Sequence, residues 1–332
     1  MATDRDSTLR VAFWNTWLLS PRLWAGGPRI PGGDKLGLAP DVAERAPLVG
    51  QALADRFDVV ALGECFEASE RRAVAAAWPD ALLIDGPGRG RSKLIGSGLA
   101  SLVDRRRAEV VATARHTYRS GGDLRDSDTF ASKGALFVRV SSEATDAPLV
   151  DLFSTHLIAG GDLFPIPGHD DHARHHRARM AQVDELVDFL VQQHDPANVL
   201  VVLGDFNVPA HDPDPSLADP TERYRDLSAR LTSVGLRDLW ATDGVGAGST
   251  CTFTDPADLP PDPEEPDRVV DDPDAGPEAP GERIDYLWLR VPDGVDVGID
   301  RPRRWAFPGR AARGGRAGSL SDHLALSVTL HL

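Results

Sequence analysis

The chain has 332 residues, 41% of them hydrophobic, and a formal net charge of −15. That length suits one large α/β domain or two smaller ones, and that charge repels nucleic acid and anionic membrane at long range unless a local basic patch overrides it. Two cysteines, Cys65 and Cys251, exclude a disulfide framework and a zinc-type spacing, and both read as thiols.

The N-terminus, MATDRDSTLR, is polar and lacks the apolar core of a signal peptide. No apolar run approaches the ~20 residues of a membrane-spanning helix. A cytoplasmic location is the expectation. Residues 9–14, LRVAFW, read as a strand ending at Asn15, and the Pro- and Gly-rich residues 20–40 as a loop. Ala43, Ala46, Val49, Leu53 and Phe57 recur at helical spacing, with Asp41 in place to cap. A short buried strand over 58–64 ends at Glu64, and a second helix over 67–78 is stopped by Pro79. Strands follow near 97–103, 109–113, 134–140 and 149–155. His176, Met180, Val183, Val187 and Leu190 share one face of a helix over 172–193, and strand 199–204 comes next. After a polar loop over 209–221, a helix is expected at 222–234. Residues 255–282 are acidic, rich in proline and poor in large apolar residues, which predicts a mobile loop within one domain spanning 1–332. Strand-like RIDYLWL follows at once. Early strand–helix alternation with consecutive strands in the middle suits two packed sheets flanked by helices.

Polar residues collect where the apolar runs stop. Asn15 follows VAFW, Glu64 follows VVALG, His156 follows VDLFST, and Asp205 and Asn207 follow VLVVLG. Asp285 lies in RIDYLWL, and Asp322 and His323 lie in SDHLALSV. Each alone has a plain structural role: an acid at a helix start, a hydrogen-bonded core histidine, a turn residue, a partner for Arg283. Together they hold what phosphoester hydrolysis needs. Carboxylates and amide oxygens bind a hard divalent cation, a carboxylate-oriented His can activate water, and Asn, His or Lys can stabilise charge developing on phosphorus. No P-loop, dinucleotide fingerprint or Ser or Cys nucleophile motif competes.

The ordered series NTW, LGE, THL, GDFN, RIDY and SDH resembles the endonuclease/exonuclease/phosphatase superfamily, which includes deoxyribonuclease I, and it covers residues 9–332. The resemblance implies a four-layered α/β/β/α sandwich of two mixed sheets and Mg²⁺-dependent hydrolysis, with Mn²⁺ or Ca²⁺ as alternatives. Carried over, Glu64 is the main metal ligand, with Asn15 and Asp322 near the metal. Asp205 orients or activates water, Asn207 supports it and binds phosphate, and His323, oriented by Asp285, acts on water or phosphate. His156 donates to the phosphoryl or leaving group.

DTFASKGALFVRV, residues 128–140, resembles the D-x-x-x-x-K-G segment of the neutral sphingomyelinase branch, where the lysine approaches the scissile phosphate and the aspartate holds it. That assigns Lys133 and Asp128 to substrate phosphate. The alternative is a lysine snorkelling off a strand edge. The departure is Ile158 after THL, where that branch commonly has glutamine. Residues 301–316 hold six arginines and no acid. In this interval the secreted bacterial sphingomyelinases carry an aromatic membrane-contacting hairpin, a part Trp305 and Phe307 are expected to take beside a lipid headgroup. The leading expectation is thus a phosphodiesterase of sphingomyelinase type, without an obligate protein partner. The alternatives are a nuclease gripping DNA or RNA through the same arginines and a catalytically silent binding module.

Overall fold

The structure is a computed structural model, and it describes residues 8–20, 39–90, 93–121, 131–142, 147–160, 171–212, 219–252, 259–270, 281–309 and 318–332. The chain begins with β1 (Thr8–Asn15), α1 (Val42–Leu53), β2 (Val59–Gly63), α2 (Ala68–Ala76), β3 (Ala81–Asp85) and β4 (Ala100–Asp104). The middle holds β5 (Ala108–Thr117), β6 (Gly134–Ser142), β7 (Val150–His156), α3 (Asp171–Gln193), β8 (Val199–Asp205), α4 (Glu222–Thr232), β9 (Arg237–Asp238) and α5 (Leu239–Asp243). Then come β10 (Cys251–Thr252), β11 (Gly281–Glu282), β12 (Asp285–Arg290), β13 (Gly298–Ile299) and β14 (Arg303–Trp305). The chain ends with β15 (Pro308–Gly309), β16 (Gly318–Ser319) and β17 (Ala325–His331).

Two sheets carry the architecture. The first runs β13-β17-β1-β2-β4-β3 with β14 also on β17, and the second β5-β6-β7-β8-β12-β9. Each has one parallel pair at its centre, β1 with β2 and β7 with β8, and every other pairing is antiparallel. A parallel pair needs a crossover, and α1 and α3 supply the two. The sequence dictates this arrangement: VVALG, VDLFSTH and VLVVLGD are buried along their whole length, as central strands covered on both faces must be. The edge strand β5 instead alternates half-buried and exposed residues after its buried first one.

Side-chain alternation sorts the strands into three apolar layers. Leu9, Val11, Phe13, Val59 and Val103 of the first sheet meet Leu136, Val138, Leu152, Val201, Leu203 and Leu287 of the second. Ala12, Trp14, Val60 and Leu62 point the other way, onto Val49 and Leu53 of α1 and Val74 of α2. Phe137, Phe153 and Val202 point outward from the second sheet onto Met180, Val183 and Phe189 of α3 and Leu227 and Leu231 of α4. The result is the expected four-layered α/β/β/α sandwich. Among the described residues no helix is long and apolar enough to cross a membrane.

Several local expectations are corrected. Strand β3 follows Pro79 directly and is not signalled by alternation. Asp41 precedes α1 in a left-handed conformation, φ 47°, with no side-chain capping bond. Within the acidic insert, 259–270 packs on the body: Val269 is buried, its N–H donates to Arg304 O, and Asp267 O accepts from Ala306 N. Arg268 is paired with Asp262 and Glu265, and Arg56 with Asp267. The largest correction concerns Trp305 and Phe307, which contact core rather than membrane. They are 8% and 1% exposed, stack at 5.9 Å, and pack on Trp14 and Phe57. The Trp305 indole donates to Ser327 Oγ at 2.7 Å. Arg304 is buried as well, donating to Ser249 O, while residues 310–316 of the arginine-rich run lie outside the described residues.

At the end of β7 remote from His156, a buried polar network holds the sheet to α3. Asp151 accepts from Arg139 at 2.6 and 3.0 Å, pairs with His194 Nδ1 at 2.9 Å, and accepts from Asp195 N and Asn198 Nδ2. Burial alone would raise this carboxyl, but the His194 and Arg139 hydrogen bonds outweigh it and hold it down to about 2. A depressed carboxyl contributes stability that is present above its unfolded value of ~3.9 and lost as pH falls toward the folded one. Asp151→Asn is therefore expected to cost ~2–4 kcal/mol at neutral pH, with the deficit shrinking below about pH 4 and hydrolysis unchanged. Urea midpoints at pH 7 and pH 3 check this; equal wild-type and variant midpoints at pH 7 contradict it.

Candidate active site

The carboxyl ends of the two parallel pairs meet at one edge of the sandwich, as expected for ligand sites of α/β sheets. Asn15 ends β1, and Glu64 follows β2, whose last residue Gly63 pairs with Asn15. His156 and Asp205 end β7 and β8 and pair with each other. Asp205 also pairs with Asp285 at the start of β12, and His156 with Gly134, the residue after Lys133. The second sheet thus presents His156, Asp205 and Asp285 along one transverse row, with Lys133 one residue before its Gly134 end. The row is tight: a Cβ on Gly204 would lie 2.2 Å from Thr155 O, so GDFN needs its glycine.

Two hydrogen bonds close the site across the sheets. Asn15 Nδ2 donates to Asp205 Oδ2 at 3.0 Å, and His323 Nδ1 pairs with Asp285 Oδ2 at 2.8 Å. His156 Nε2 lies 3.7 Å from Asp205 Oδ2 and 4.0 Å from Glu64 Oε1. Lys133 Nζ donates to it at 3.2 Å, which puts the imidazole proton on Nδ1. Asp205 Oδ1 accepts the Asn207 amide at 2.9 Å, and Asn207 Nδ2 donates to Leu157 O at 3.2 Å. Asp205 is thus both a turn residue and a site residue. Glu64 and Asn207 take left-handed backbone, φ 54° and 52°, an uncommon conformation for side-chain-bearing residues that concentrates at functional sites.

The charges are crowded and dry. Burial first, then Asp322, raises the Glu64 carboxyl; Lys133 and His323 oppose this. Burial and then the neighbouring Asp285 raise Asp205. Burial, Lys133 and His323 push His156 well below its ordinary range, so it is neutral. Burial would lower His323 too, but the Asp285 carboxylate outweighs it and holds this imidazole well above its ordinary value. Four acids, Glu64, Asp205, Asp285 and Asp322, thus face two cations, Lys133 and His323.

That imbalance fits a divalent cation, as does Asp285 Oδ1, buried without a hydrogen-bond partner. Asp205, Asp285 and His323 bring ligand atoms within 4.8 Å of one another. Yet both Asp205 oxygens and His323 Nδ1 are already committed, and all three residues are buried. Glu64 keeps 21% of its side chain exposed, and Asp322 is half-buried, so a cation there can meet substrate.

Every expected site residue within the described part converges here; Asp128 lies outside the described residues. Lys133 is 6% exposed and does not snorkel from an edge. Thr250 carries no motif and was not foreseen. Its Oγ1 accepts from Ile284 N and Asp285 N, and its carbonyl from Leu324 N, so it fastens Asp285 and His323 into register. Such backbone-directed roles leave no spacing signal.

Residues 12–323 match the Endonuclease/Exonuclease/phosphatase family. The chain belongs to that family. Phosphoester hydrolysis is the family's chemistry, and the chain is an enzyme of that class. Solved structures share the fold. Magnesium-bound beta toxin from Staphylococcus aureus is 18% identical, TM-score 0.60, covering 96% of this chain and 98% of that one. The mannosyl-6-phosphatase Bt3783 of Bacteroides thetaiotaomicron is 17% identical, TM-score 0.61, covering 98% and 100%. TDP2 of D. rerio, complexed with single-strand DNA product, is 14% identical, TM-score 0.58, covering 98% and 100%. No curated protein matches the sequence. Identities this low carry the fold and not the substrate.

Proposed function

We propose that the protein is a divalent-metal-dependent phosphodiesterase of sphingomyelinase type, cleaving a phospholipid headgroup ester by attack of water on phosphorus. The observation that supports the lipid-type substrate is the buried Lys133 ammonium, 3.2 Å from Nε2 of His156, which pairs with Asp205 across the sheet. Glu64, Asn15 and Asp322 would hold the cation, Mg²⁺ with Mn²⁺ or Ca²⁺ as substitutes. When bound, the cation would neutralise phosphate oxygens, lower the pKa of water and draw His323 toward its neutral form.

The protein's own groups do the rest. Asp285 holds His323 Nδ1, so Nε2 is the nitrogen that would act on water or phosphate. Asp205, held by Asn15 and the Asn207 amide, orients the attacking water. Asn207 supports that water and binds phosphate. Lys133 offers donors to the phosphoryl oxygens, and His156, whose Nε2 accepts from Lys133 in the free protein, would pass a proton taken up at Nε2 to the leaving group. Preorganised donors of this kind stabilise developing charge without reorganising during reaction.

The test is a substrate panel with Mg²⁺. Phosphocholine release from sphingomyelin with plasmid DNA left intact is expected; DNA cleavage without phosphocholine release would move the assignment to a nuclease. Lys133→Ala is expected to lower sphingomyelin turnover ~10²-fold or more with an unchanged melting temperature. Full activity in that variant removes the support for a lipid-type substrate.

A further inference from the structure

We propose that Arg45 is a positioning residue: from α1 it holds the two chain segments that deliver Asn15, Glu64 and Asp322, and so sets the affinity of the metal-binding half of the site. The inference rests on the metal assignment above and extends it to a residue outside the site.

Arg45 is 2% exposed. A buried guanidinium is costly unless its five N–H groups are satisfied. Here the partners are backbone carbonyls from three separate places. Nε donates to Pro40 O at 3.0 Å, Nη1 to Thr16 O at 3.3 Å and to Leu320 O, and Nη2 to Trp17 O. The Trp17 ring lies 5.4 Å away. Thr16 and Trp17 follow Asn15, and Leu320 stands two residues before Asp322. One side chain therefore ties the end of β1 to the segment leading into β17.

The tie extends to Glu64. Thr16 donates to Gly63 O through N at 3.0 Å and Oγ1 at 2.8 Å, and Leu18 N donates to Glu64 O at 3.1 Å. These bonds sit where the backbone turns left-handed to aim Glu64. Ser321 Oγ, donating to Asn15 O at 2.7 Å, is a parallel tie. Asp322, Asp41 and Glu64 are the acids whose charge Arg45 feels. Without Arg45, four carbonyls lose their donor and three ligands lose a common frame. In the other half of the site, buried Arg179 on α3 donates to Ile158 O and Ala159 O, two and three residues after His156.

The experiment is calorimetric titration of Mn²⁺ into wild-type protein, Arg45→Lys, Arg45→Met, Arg179→Lys and Glu64→Gln. Circular dichroism and melting in EDTA accompany it. Arg45→Met is expected to raise the Mn²⁺ Kd ~10–100-fold and Arg45→Lys less, with Arg179→Lys near wild type. The rise in melting temperature on adding Mn²⁺ should shrink in step. If Arg45→Met does not fold, Arg45→Lys decides. Folded Arg45 variants with wild-type Kd, beside a Glu64→Gln that has lost the ion, overturn the inference alone. No Mn²⁺ binding by wild-type protein overturns the metal assignment with it.

Discussion

Asp205→Asn is expected to lower kcat at least ~10³-fold on any phosphodiester substrate, with a smaller effect on KM. The change is nearly isosteric, so the loss comes from charge and hydrogen-bond polarity. Asp205 accepts from Asn15 Nδ2 through one oxygen and from the Asn207 amide through the other. An asparagine offers one acceptor oxygen and one donor NH₂. Either the Asn15 link between the sheets or the Asn207 turn then faces donor against donor. The residue is buried, so neither conflict is relieved by water. Burial and Asp285 already raise this carboxyl, and in the proposed mechanism its charge is used with the cation bound. The asparagine also removes a negative charge from a crowded group of acids, which offsets part of the cost of the donor conflict, so the metal-free fold should lose far less than catalysis does. Steady-state kinetics and urea denaturation of the same preparation separate the two. A variant within tenfold of wild type in kcat would show that Asp205 does not orient the water.

The grouping was legible in the sequence because its members flank strongly apolar strands: Asn15, Glu64, His156 and Asp205 end or follow one, while Asp285 starts one and Lys133, Asp322 and His323 lead into one. An acid or histidine after VVALG, VDLFST or VLVVLG can only sit at the mouth of a sheet. Two packed sheets then bring those mouths together. The asymmetric features were not legible. Trp305 and Phe307 sit among arginines, so local composition reads as surface. Their burial depends on Trp14 and on Phe57 in the turn between α1 and β2, partners far away in sequence. The acidic insert reads as unstructured because one buried Val269 and a few ion pairs are a weak compositional signal. Arg45 and Thr250 work on backbone carbonyls and amides, and backbone partners impose no residue type at any spacing.

With these two aromatics in the core, the proposed lipid-type reading has to rest on groups at the strand ends themselves, with Lys133 foremost. The first sheet supplies Asn15, Glu64, Asp322 and His323, and the second supplies Lys133, His156, Asp205 and Asp285. Relative movement of the sheets would separate the cation side from the phosphate side. The apolar layer between the sheets holds them together, and the two cross-sheet bonds, Asn15 to Asp205 and His323 to Asp285, join them at the site itself.

Glu64→Gln tests the cation side with the other expected large effect: a loss of at least ~10³-fold in kcat/KM and Mn²⁺ affinity reduced by ~10²-fold or more. Glu64 is the acid at the open edge of the cluster, with 21% of its side chain exposed and its backbone held at φ 54°. Burial and Asp322 raise its carboxyl in the metal-free protein. A raised carboxyl destabilises the fold when ionised, because the folded state disfavours the charge relative to the unfolded chain. Removing the charge should therefore leave the metal-free protein as stable as wild type, or more so, at pH 7. With metal the order should reverse, since only the wild type gains stability from the bound ion. Melting curves of both proteins in EDTA and in millimolar Mn²⁺ give four values. The expected pattern is a crossing: variant equal or higher without metal, lower with it. Parallel shifts in both conditions would mean that Glu64 supports the fold and not the ion, and the cation would have to be placed on Asp205, Asp285 and His323 instead.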